Sequence, residues 1–119
     1  MFNIDEFMNA PVCEEIQTIK RGSEEFKIKR LNGIERLKFN DIRGQYERIL
    51  YVISHALLSG DNNAPIGEQN AAKFIERYSI LAEGLFNDIF ELTQQTLDKE
   101  TEIWTLAKKN SENQETTNA

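Results

Sequence analysis

Phe26-Lys27-Ile28-Lys29-Arg30-Leu31-Asn32-Gly33-Ile34-Glu35-Arg36-Leu37 changes its period midway. Phe26, Ile28 and Arg30 alternate with Lys27 and Lys29, the period of a strand with one covered face. After Leu31 the apolar residues fall three and four apart, the period of a helix. Asn32 is placed to cap that helix, and Glu35, three residues on, completes a capping box. The stretch therefore predicts a strand that hands over to a helical body.

Toward the N-terminus, Val12, Glu14, Ile16, Thr18 and Lys20 also alternate, and Arg21-Gly22-Ser23-Glu24 can turn. Together these residues predict a β-hairpin near residues 12–31. A lone hairpin is marginal in water, so its apolar face is expected to pack on the helices that follow. Asn3 or Asp5 starts a short helix through Met8, and Pro11 ends it, because proline disfavours helix at the residue before it.

Toward the C-terminus, Ile34, Leu37, Ile42, Tyr46, Ile49, Leu50, Ile53, Ala56 and Leu57 recur at helical spacing. Gly44 inside this run leaves open one kinked helix or two, with Phe39 off the stripe near a break at Asn40 and Asp41. The second part is expected over residues 43–58. Residues 59–67 read as a loop, with Gly60 capping the helix before it. Residues 68–92 predict the strongest helix, on a stripe of Phe74, Tyr78, Leu81, Leu85, Ile89 and Leu92 widened by Ile75, Ala82, Phe86 and Phe90. A last helix is expected over residues 97–109, with Ile103, Trp104, Leu106 and Ala107 as its apolar contacts. Residues 110–119 are polar and predict a disordered tail. No internal repeat is visible. The fold class expected is mainly α: a small bundle of three to five helices, one domain over residues 1–109, with a short N-terminal hairpin.

Composition bounds what such a body does. In 119 residues, 14 Lys and Arg face 20 Asp and Glu, a formal charge of −6. That balance repels phosphate backbones and argues against nucleic acid, the candidate basic patches being Lys20 with Arg21 and Lys27 with Lys29 and Arg30. The single cysteine, Cys13, forms no internal disulfide. The acidic start does not read as a signal peptide, and no apolar run nears the ~20 residues of a membrane span. Cytoplasm is the expected location, with no membrane partner.

Catalytic chemistry finds little support. His55, the only histidine, has no acid at helical spacing. Glu14 and Glu15 beside Cys13 raise a thiol pKa instead of activating it. Zinc needs Cys and His in threes or fours, and Asp61-Asn62-Asn63 matches a calcium loop poorly. No glycine pattern for phosphate appears. The chain reads as a binding protein that is not an enzyme and has no cofactor or metal. Phe86, Phe90, Trp104 and Tyr78 have two readings, core packing or a face for a partner helix. Phe90 and Trp104, off the main stripe, are the stronger candidates for a partner.

The order of these features resembles a family. Ile4-Asp5-Glu6-Phe7-Met8-Asn9-Ala10-Pro11-Val12 looks like the opening of small tail assembly chaperones of long-tailed, lambda-like phages and prophages. Lys29-Arg30-Leu31-Asn32-Gly33-Ile34-Glu35-Arg36-Leu37 is similar to their short strand and Glu-Arg helix start. The stretch from Ala56-Leu57-Leu58-Ser59-Gly60-Asp61 to Leu92-Thr93 resembles their helix, polar loop and long helix. Ala107-Lys108-Lys109-Asn110-Ser111 is like their close. The likeness covers roughly residues 2–111 and rests on order and length.

The resemblance implies a chaperone that coats the tape measure protein during tail morphogenesis. It also implies self-association, and recruitment of the tail tube protein by a longer frameshifted product. Lys108 and Lys109 would then be encoded in an A-rich slippery run, which the codons themselves test. The competing expectation is a small acidic regulator or inhibitor. Its acids should cluster on one surface, whereas here they are interleaved with Lys and Arg.

Overall fold

The computed structural model describes residues 2–9 and 16–118, apart from the side chains of Phe7, Thr96, Leu97, Glu100, Ile103, Trp104 and residues 106–118. The expectations for Pro11 and Cys13 lie outside the described residues. The described elements run α1 (Ile4–Asn9), β1 (Ile16–Arg21), β2 (Glu24–Lys29), α2 (Gly33–Asn40), α3 (Gln45–Ala56), β3 (Leu57–Ser59), β4 (Ala64–Pro65), α4 (Gly67–Arg77) and α5 (Ser79–Asn118). They divide into two compact units, Glu15–Thr93 and Met1–Glu14 with Gln94–Ala119.

In the larger unit the hairpin forms as the alternation predicts. β1 and β2 pair antiparallel from Ile16 opposite Lys29 to Arg21 opposite Glu24. Gly22 and Ser23 make the loop, and Gly22 has a φ of +66°, the conformation a tight hairpin asks of its first loop residue. Ile28 is buried, and Ile19 and Phe26, directly opposite each other, pack against the core. On β1 it is therefore Ile19 that faces inward, whereas Ile16 stays exposed.

The hairpin does not stand alone, and the molecule is not the helical bundle expected. It is mostly helical with a four-stranded antiparallel sheet in the order β1-β2-β3-β4. The helix expected to reach Leu58 stops at Ala56, because Leu57 and Leu58 leave the helix to pair with Ile28 and Lys27. Leu57 closes the helix in an extended conformation, its N–H still donating to the carbonyl of Ile53. Gly60 is thus no helix cap. It sits in the β3–β4 turn with a φ of +79°, followed by Asn63 at +52°, a region asparagine tolerates better than most residues.

α2 and α3 are two helices. Asn32 and Glu35 form the capping box in full: Glu35 N–H donates to Asn32 Oδ1 at 2.8 Å, and Asn32 N–H to Glu35 Oε1 at 2.9 Å. Gly44 starts α3 as its cap residue. The strong helix expected over residues 68–92 is also two. Tyr78, at φ −135° and ψ 58°, ends α4, and α5 begins at Ser79. The wide apolar stripe is shared between them: Ala71 and Ile75 of α4, then Ala82, Leu85, Ile89 and Leu92 of α5, are buried in one core with Ile28, Leu31, Val52 and Ile53. Thr93 Oγ1, also buried, accepts from Leu31 N–H at 3.1 Å and donates to the Ile89 carbonyl at 2.8 Å. Arg21 lies across α5, its guanidinium bidentate on Asp88 and in reach of the Gly84 carbonyl. A Cβ on Gly84 would sit 3.2 Å from Arg21 Cζ, a close contact that a small shift of the arginine would relieve.

The smaller unit contains α1, started by Asn3 as expected. Its Oδ1 accepts from Asp5 N–H at 2.9 Å and Glu6 N–H at 3.3 Å. α5 differs from expectation by continuing to Asn118 through the residues assigned to a separate last helix and a tail. No glycine or proline follows Gly84, so nothing local ends the helix. Among the described residues, no helix is long and apolar enough to cross a membrane.

Candidate functional site

Of the four residues singled out from sequence, the structure brings Phe86 and Phe90 together and places Tyr78 apart from them. Phe86 and Phe90 stand one turn apart on α5 and are half-buried. Both meet Phe39 of α2, with ring centroids 6.1 and 4.8 Å from it, and Phe86 and Phe90 are 4.9 Å apart. Tilted and edge-on contacts at these separations are favourable beyond the area they bury. Each ring has one side in the core and one side toward solvent. Tyr78 is 53% exposed at the break between α4 and α5, its ring 5.7 Å from Phe74. The side chain of Trp104 lies outside the described residues.

Several large apolar side chains are exposed. Ile34 and Leu37, on the expected stripe, are 67% and 61% exposed, whereas the off-stripe Phe39 is buried. Helical geometry explains the exchange. At about 100° per residue, Phe39 lies about 200° from Leu37 and 140° from Ile34, so burying Phe39 turns the other two outward. Ile80, in the first turn of α5, is 84% exposed. The signal was available: Phe39 is the largest apolar residue of α2, and Asp41 caps the helix two residues later.

Between the start of α3 and the second and third turns of α5 lies an open groove of about 370 Å³. Ile49 and Phe86 supply its apolar surface, Gln45 and Asn87 its amides, and Arg43, Arg48 and Glu83 its charges. Arg48 Cζ sits 4.7 Å from the centre of the Phe39 ring, a cation–π distance. Its Nε is buried and makes no hydrogen bond. Neither Arg43 nor Glu83 has an ion pair among the described residues.

His55 has a local role in α3. Its Nδ1 lies 2.8 Å from the Tyr51 carbonyl, an acceptor only, so Nδ1 carries the proton. Ser54 Oγ, 3.1 Å from the same nitrogen, donates to that carbonyl too. A protonated Nδ1 cannot take a proton from Ser54, so the two are not a nucleophile and its base. Among the described residues, no three His, Cys, Asp or Glu side chains gather as a metal set. Comparison with protein-family models, with curated proteins and with solved structures finds no match.

Proposed function

We propose that this protein acts by binding another polypeptide, and that it is a tail assembly chaperone whose partner is a tape measure protein. The observation that carries the reading is the outward apolar face of α2. Ile34 and Leu37 stand three residues apart on one face, between the charged Glu35, Arg36 and Lys38. An exposed apolar patch with a polar rim is the usual form of a protein contact. A holding chaperone needs such a surface together with net charge to keep it from collapsing on itself, and the chain carries −6. The likeness of residues 2–111 to the tail chaperones supplies the partner, a long helical protein with apolar stripes. Self-association and contact with a tail tube subunit belong to the same proposal.

Co-expression with a tape measure protein tests it. The expected result is a complex and a larger soluble fraction of the tape measure protein. The double variant Ile34→Ser and Leu37→Ser should lose both and keep its thermal midpoint, because exposed substitutions usually change stability by no more than about 0.5 kcal/mol. Absence of a complex, with no gain in solubility, would count against the reading.

A further inference from the structure

We propose that the Asn32-Gly33 pair is a self-modification site, where the chain deamidates through a cyclic imide at a rate set by the capping box of α2. It is the single Asn-Gly pair in the sequence. Glycine in second place has no Cβ to obstruct its own nitrogen, which must attack the asparagine side chain. Three observations make this pair reactive. First, both residues are exposed and the space beside Gly33 is open, since a Cβ there would meet nothing within 4 Å. Second, among the described residues neither the Gly33 N–H nor Asn32 Nδ2 has a hydrogen-bond partner, so the attacking nitrogen and the leaving group are both unheld. Third, Gly33 is the first residue of α2, where the helix dipole favours the anion that its nitrogen must become. The Glu35 carboxylate would oppose that anion, but Lys29 Nζ sits 2.6 Å from it and offsets its charge.

The chemistry needs only water. Hydroxide takes the proton of the Gly33 amide. The nitrogen attacks Asn32 Cγ, the N–Cγ bond forms, the Cγ–Nδ2 bond breaks, and ammonia leaves with a proton from water. Water then opens the imide at either carbonyl. Cleavage at Cγ leaves aspartate in an unaltered backbone. Cleavage at the main-chain carbonyl leaves an isoaspartyl link, with the backbone running through Cβ and Cγ. The box gates the first step. It fixes Asn32 at ψ 175° and holds Oδ1 2.8 Å from Glu35 N. Ring closure needs ψ to turn and Cγ to swing over the Gly33 nitrogen, so that bond must open first. The two products differ in effect. A carboxylate in place of the amide still caps, and the dipole favours it. The isoaspartyl link adds a methylene to the chain and displaces the carbonyl that accepts from Arg36 N–H at 2.9 Å. α2 then loses its cap and its first helical bond, and a helix of eight residues is marginal without them. The helix that frays carries Ile34 and Leu37, but neither the reaction nor the fraying requires a partner, so the site stands apart from the tape measure reading.

The test incubates the full chain in mildly alkaline buffer and follows position 32 by peptide mapping. Mass spectrometry reads the change from amide to acid, and chromatography separates aspartyl from isoaspartyl peptides. Acid should accumulate at position 32, faster as pH rises, with the isoaspartyl form present. The same chain in urea should convert severalfold faster, the factor that the free energy of a cap corresponds to. Glu35→Ala breaks half of the box without touching the reacting pair and should move the native rate toward that ceiling. Glu35→Gln keeps an acceptor for the Asn32 N–H and should move it much less, which separates the box from the carboxylate charge. Gly33→Ala, at an open position, should fold as well and convert many-fold more slowly. In the isoaspartyl product the amides of α2 should exchange faster than in the aspartyl product. No acid at position 32 by the time the urea sample has converted overturns the proposal. Equal rates in native buffer, in urea and in Glu35→Ala overturn the gate, and equal exchange of α2 in the two products overturns the consequence.

Discussion

Tyr51 faces the base of α2, and its hydroxyl stays neutral to higher pH than usual. Burial is the main cause, and the negative charge of Glu35 adds to it. The consequence for stability has a definite sign. In the unfolded chain a tyrosine ionises near 10, so above that pH the unfolded state holds fewer protons than the folded one. The contribution of neutral Tyr51 is full below pH 10 and is lost as pH rises through its folded value. Tyr51→Phe should therefore unfold with a shallower loss of stability between about pH 9 and 11.5 than the parent. Urea midpoints at both ends of that range check it, and parallel slopes would exclude the effect. Glu35 acts at the same scale in three ways. It caps α2, pairs with Lys29 Nζ at 2.6 Å and sets part of the field at Tyr51.

At the scale of elements, α2 is short and depends on its ends. A helix of eight residues is marginal without tertiary support, and this one turns two of its apolar residues to solvent. Asn32→Ala removes the side-chain acceptor of the capping box and should cost about 1 kcal/mol. Thermal unfolding measures the loss, and exchange of the α2 amides should rise with it. The capping box was legible in the sequence because it is local, with both partners inside four residues. The division of residues 68–92 into α4 and α5 was not. No glycine or proline marks Tyr78, and its N–H still bonds the Phe74 carbonyl at 2.8 Å. The turn of the chain there is set by packing, since Ile75 and Ala82 on either side both enter one core. β3 was hidden for the same kind of reason. Leu57 and Leu58 continue a helical stripe, and it is pairing with Ile28 and Lys27 of a distant strand, and of Leu58 with Pro65, that draws them into a sheet.

At the scale of the whole larger unit, the sheet and the helices are joined by a few long-range polar contacts as well as the core. Thr93 is the most buried of them. It links the exit of β2 to α5 across 62 residues of sequence by accepting from Leu31 N–H. Thr93→Val keeps the volume and leaves that amide without its partner, so it should cost about 1–3 kcal/mol, the penalty of a buried unpaired donor. Denaturant unfolding measures it, and a loss much below that range would mean the Leu31 amide finds another acceptor. Arg21 on Asp88 is a second link, nearer the surface and worth less, about 1 kcal/mol at most for an exposed pair.

The sequence by itself determined the hairpin and its turn, the capped start of α2, and the helical character of most of the chain, and it left open whether the run through Gly44 is one helix or two. Each of these follows from interactions between residues at most a few positions apart, through period, caps and turn conformations. It also singled out Phe86, which lines the groove. Tertiary structure alone decided that the hairpin grows to four strands and that the longest stripe is cut at Tyr78. The groove was equally out of reach, because Arg43 and Arg48 line one groove with Glu83 and Asn87 only through the packing of segments far apart in sequence. Burial is settled by which partner covers a face, and a periodic stripe carries no record of that partner.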